Sequence, residues 1–132
     1  MSMINPANAV LTFAGLLALA IGVRAMLAPE ALGAAIGYGL PGPDALNEVR
    51  AQYGGFFLAI ALVCGLALFG VAPKSAALTL LIATFGGIFF GRIVAAGIDG
   101  GIGAYGPTIK ALFVVDLVGA AAATWALATL PR

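Results

Sequence analysis

The sequence predicts an all-α fold, an integral membrane four-helix bundle running up and down across the bilayer, and three observations carry that prediction. Of the 132 residues, 63% are hydrophobic and only 8% charged, whereas a soluble domain ordinarily carries about a quarter charged residues. Long apolar runs recur four times, each roughly 20 residues or more, which at about 1.5 Å per residue spans the ~30 Å hydrocarbon core. All seven prolines fall at or beyond the ends of those runs, where proline starts or stops helices. With a mean hydropathy of +1.14, a soluble version of this chain would expose large apolar patches. In lipid only helices or closed barrels satisfy the backbone, and these runs lack the alternation of a barrel.

The first span is expected at about residues 9–27, with Arg24 near its end. The flank before it has no Lys or Arg, unlike the basic start of a signal peptide, so the segment reads as a retained span. Residues 29–38 suggest a short interfacial helix placing Leu32, Ile36 and Tyr38 near the headgroups, with a lid as its functional version. The second span is expected at about 45–70, with Asp44 as its N-cap and Glu48 in the positive first turn. The third, about 75–98, carries Arg92; the fourth, about 107–130, carries Asp116, with Trp125 as an interfacial anchor. Together they make a single transmembrane domain over 1–132. Its halves share a layout that suggests a duplicated hairpin.

Between the third and fourth spans, Gly101, Gly103 and Gly106 form a G-x-G-x-x-G. A dinucleotide site needs a preceding strand, which a membrane helix cannot supply, so a hairpin loop is expected. Backbone amides at the start of the fourth helix could still hold an anion. Small residues at four-residue spacing (Ala51, Gly55, Ala59; Gly87, Gly91, Ala95) and the set Asp116, Gly119, Ala120, Ala123 read as packing ridges, inside the bundle or between copies.

Composition also excludes. A net charge of +1, with no two Lys or Arg adjacent, is not the footprint of a nucleic-acid binder or a polybasic lipid-binding tail. The single cysteine, Cys64, cannot form an internal disulfide and sits in an apolar run as a small hydrophobe. The absence of histidine removes the commonest metal ligand and proton shuttle. No metal and no cofactor is expected.

In an up-down bundle, the ends of the first and third helices and the starts of the second and fourth share one membrane face. Arg24, Glu30, Asp44, Glu48, Arg50, Arg92, Asp99, Lys110 and Asp116 all map there; Lys74 and Arg132 map to the other. Arg92 lies about seven residues from its helix end and Asp116 about nine, too deep to face lipid without a cost of about 3 kcal/mol each. They should point inward and pair. A funnel lined by Glu48, Arg50, Gln52, Tyr53, Arg92, Asp99 and Asp116 is expected, with Arg24, Lys110 and Tyr105 nearer its mouth. The same network could instead serve only to fix helix register.

Counting every Lys and Arg puts the charged face in the cytoplasm, four against two. Treating Arg50 and Arg92 as pocket groups reduces that count to a tie.

The stretch Asn47-Glu48-Val49-Arg50-Ala51-Gln52-Tyr53-Gly54-Gly55, with Gly91-Arg92 and Asp99-Gly100 further on, resembles a bacterial family of four-helix membrane proteins of unassigned function, itself similar to the DoxX-like proteins. The resemblance extends from about Leu11 to Leu127. It implies the four-helix fold, a bacterial inner-membrane location and a cluster of Glu48, Arg50, Arg92 and Asp99. An acidic residue in the last helix, here Asp116, fits as well, although glutamate is more usual there. Some DoxX-like members are thought to be subunits beside oxidoreductases, which makes an accessory role worth carrying.

The leading functional expectation is a protein that binds a small anionic or amphipathic, lipid-like ligand, with Arg50 and Arg92 on its polar head and Glu48, Asp99 and Asp116 balancing charge. Membrane lipids and a homo-oligomer or membrane-complex partner are the expected associations. The second is an accessory subunit of a larger membrane complex. The third is an enzyme using Tyr53 or a carboxylate as acid–base group, but no nucleophile–base pair can be assigned from spacing, so catalytic residues stay unassigned. Proton-coupled transport through Glu48 and Asp116 would require an oligomer.

Overall fold

The computed structural model describes residues 5–131, and among them there is no strand. Met1, at the start of the flank, and Arg132, assigned above to the sparsely charged face, lie outside the described residues. The fold class is all-α. Four helices, Pro6–Leu27, Pro43–Leu68, Lys74–Ile98 and Pro107–Ala128, are long and apolar enough to cross a membrane.

Helix α1 (Pro6–Leu27) starts a few residues before the expected position. Asn5 explains the start: its Oδ1 accepts the Ala7 N–H at 3.0 Å, and Pro6 at the first helical position needs no partner for a missing N–H. Helix α2 (Pro29–Ala35) is shorter than expected. Gly37, at φ +82°, turns the chain left-handed, and Tyr38 N–H closes back on the Gly33 carbonyl at 2.8 Å.

The second span is built from helix α3 (Pro43–Val49), a π-helical segment (Arg50–Gly55) and helix α4 (Phe56–Leu68). Asp44 is not its N-cap. Gly42, at φ +95°, makes the entry, Pro43 takes the first helical position, and no side chain caps the end. Asp44 remains in the first turn, where its charge still suits the helix dipole. In the π-helical segment the Phe56 N–H reaches back five residues to the Ala51 carbonyl, so the helix widens without breaking.

Helices α5 (Lys74–Ile98) and α6 (Pro107–Ala128) are joined by a turn in which Gly100 and Gly101 both have positive φ. A 3₁₀ turn over Ile102–Ala104 precedes α6.

The chain divides into two compact units, Leu11–Ala72, and Met1–Val10 with Pro73–Arg132. In the first, glycine lets backbones approach: a Cβ on Gly22 would stand 2.8 Å from the Leu58 side chain and 3.0 Å from its amide nitrogen, and one on Gly15 would stand 3.1 Å from Cys64 Cβ. In the second, a Cβ on Gly119 would meet the Phe85 ring at 2.7 Å, while Leu78, Leu81, Phe113, Ala123 and Ala126 are buried. The ridge on α6 therefore packs as expected. On the second and third spans Ala51, Gly55, Ala59, Gly87 and Gly91 are exposed, and a Cβ on Gly87 or Gly91 would meet nothing within 4 Å, so these positions take no part in packing within their own units.

Candidate functional site

The expected site residues fall into two sets. Glu48, Arg50, Gln52 and Tyr53 belong to the Leu11–Ala72 unit; Arg92, Asp99 and Asp116 belong to the other. Only the second set contains a direct charge pair.

Arg92 Nε donates to Asp116 Oδ2 at 2.7 Å, with the two side chains 23% and 7% exposed. The sequence dictates this meeting. Each Cβ on a helix leans towards that helix's N-terminus. Since α5 and α6 run in opposite directions through their hairpin, Arg92 leans away from the connecting turn and Asp116 leans towards it. Six residues separate Arg92 from the end of α5 and nine separate Asp116 from the start of α6, so the tilts bring the groups together. Among the described residues the Arg92 guanidinium hydrogen-bonds through Nε alone. Its two terminal nitrogens carry four further N–H donors in a planar fork, on a side chain that is 23% exposed.

Nearer the turn, the Tyr105 hydroxyl donates to Asp99 Oδ2 at 2.5 Å. The hydrogen bond, chiefly, holds the phenol's pKa above its ordinary value, helped by desolvation and by the negative charge of Asp99. The Tyr105 ring lies 6.0 Å from that of Phe113, which meets Phe89 edge to face at 6.4 Å. Phe89 and Phe113 each stand one turn before a member of the ion pair. This aromatic layer was not foreseen from the sequence, although three-residue spacing from Arg92 and Asp116 was there to see.

In the other unit, Arg50 opens the π-helical segment and its Nε donates to the Met26 carbonyl at 3.3 Å. That carbonyl lies in the last turn of α1, where helix acceptors lack intrahelical partners and the dipole is negative. Gly54, in the same segment, leaves room for the Met26 side chain, whose sulfur would stand 2.5 Å from an added Cβ. Tyr53 stacks on Phe57 with ring centroids 6.2 Å apart. Glu48 and Gln52 are exposed. An apolar groove of about 490 Å³ between α1 and α4 is lined by Leu11, Gly15, Leu19, Leu58, Cys64 and Phe69, among others.

Four apolar spans with an ion pair inside one hairpin define an integral membrane protein. The chain belongs to the DUF4345 family, a domain of unknown function, which matches residues 6–127. No curated protein and no solved structure matches it.

Proposed function

We propose that this membrane protein binds a small amphipathic, lipid-like ligand whose polar head is held by Arg92. One observation carries the reading: Asp116 holds Arg92 through Nε on a side chain that stays partly exposed, within a span whose lipid surroundings offer its remaining donors no water. Intramembrane ionisable groups are costly and generally functional, and a pre-aimed guanidinium loses little freedom on binding. The reading places the chain in a bacterial inner membrane with its charged helix ends towards the cytoplasm.

Native mass spectrometry after gentle extraction tests this. The wild type should carry a defined adduct of small-molecule size, lost in Arg92→Ala while the circular dichroism stays helical. An adduct that persists in the folded variant would sink the proposal.

A second reading, an accessory subunit in a membrane complex, is favoured by the exposed Gly87 and Gly91 on α5, four residues apart as helix-docking positions in lipid often are. It predicts that the extracted protein brings a stoichiometric protein partner and no small-molecule adduct.

A further inference from the structure

The Arg92 site has a charge balance that decides what kind of head group it takes. Arg92 and Asp116 lie 2.7 Å apart and cancel one another. The other charged residues within α5 and α6 are Lys74, the first residue of α5, and Lys110, in the first turn of α6 and exposed. Neither shares the depth of the pair. An anion placed on the free Arg92 fork would sit within one guanidinium's length of the Asp116 carboxylate. It would add an uncompensated negative charge where the low dielectric leaves repulsion strong. A neutral acceptor on the same fork gains the hydrogen bonds and leaves the charge of the pair balanced.

Building on the function proposed above, we infer that the head group held by Arg92 is uncharged, a carbonyl-type acceptor of the ester, amide or ketone class, rather than a carboxylate or phosphate. Asp116 is then the specificity-determining residue. It does not touch the ligand; it removes the positive charge that would otherwise select an anion.

The test uses two probes of equal chain length, dodecanamide and dodecanoate, added to the full chain in phosphatidylcholine nanodiscs at pH 9, where the acid is ionised. They are compared at equal mole fraction in the bilayer. Binding is read from the Nε–H resonance of Arg92, assigned by its loss in Arg92→Lys. Dodecanamide should shift that resonance at a mole fraction at least about tenfold lower than dodecanoate, given what like-charge juxtaposition costs. In Asp116→Asn, which keeps an acceptor for Nε but frees the positive charge, the preference should reverse. Equal or tighter binding of dodecanoate to the wild type overturns the inference and leaves the functional reading in place. An adduct that survives Arg92→Ala overturns the reading itself. Should Asp116→Asn fail to fold, the wild-type comparison decides alone.

Discussion

Two arginines in this chain meet the same difficulty in different ways. Arg92, in the α5–α6 hairpin, is matched by a buried carboxylate on the neighbouring helix. Arg50, at the head of the π-helical segment, is exposed and bonds the Met26 carbonyl near the end of α1. A full opposite charge answers the first; the partial charge of a helix terminus answers the second, about half an elementary charge. The difference teaches that an arginine in a membrane helix is not by itself a binding group. Both are held through Nε alone, and what separates them is the partner and the setting: an exposed arginine on a backbone carbonyl at 3.3 Å, against a part-buried one on a buried carboxylate at 2.7 Å.

The comparison breaks most sharply at Asp116. Asp116→Ala strands a guanidinium that stays charged under all ordinary conditions, and should cost about 3 kcal/mol in a reversible unfolding titration in mixed micelles. Arg92→Ala should cost a similar amount, because it leaves the buried Asp116 carboxyl without its partner. Stability unchanged in both variants would show that the pair does not hold the hairpin. Next in size, Gly119→Leu drives a side chain into the Phe85 ring and should cost about 2 kcal/mol. Gly87→Leu, on the open face of the same hairpin, should leave thermal stability unchanged, and a drop of similar size there would contradict its exposure. Arg50→Ala removes a cation from a helix end and should cost about 0.5 kcal/mol; a loss as large as that of Asp116→Ala would erase the contrast between the arginines.

The smallest effect is a titration. The Asp99 hydrogen bond keeps Tyr105 protonated to higher pH than a free phenol. Its stabilisation is therefore complete below the ordinary tyrosine value of about 10 and disappears as pH rises through the raised one. Tyrosinate absorbance of the wild type, compared with Tyr105→Phe, should show this residue ionising later than an unperturbed tyrosine. An ordinary midpoint for the difference signal would mean that the Asp99 contact does not persist in solution.

The spans were legible because length, apolarity and proline placement are properties of sequence alone, and their ends fell within a few residues of expectation. The Arg92–Asp116 pair was legible from depth, since two charges that far inside neighbouring helices have few alternatives to each other. The π-helical segment was not. Arg50–Gly55 is the polar opening of its span, with Arg50, Gln52 and Tyr53, and widening by one residue leaves no compositional trace. Glycine spacing at Gly87 and Gly91 marked a helix face without saying which neighbour it meets, and that face is exposed in this chain. Gly15 and Gly22, which do admit close neighbours, lie seven apart and drew no attention. Asp44 was read as a cap from residue type, when Gly42 and Pro43 had already set the entry by their backbone geometry.

The ion pair has a consequence for how the protein is made. Arg92 is three-quarters of the way along α5, and its counter-charge lies on α6, which follows in the chain. A ribosome delivering α5 alone presents the membrane with an unmatched guanidinium, a penalty of about 3 kcal/mol on the insertion scale. That penalty is relieved only once Asp116 has emerged and the Gly100–Gly101 turn has folded the helices against each other. The natural unit of insertion is then the hairpin, with α5 waiting at the translocon for α6 before either partitions fully into lipid.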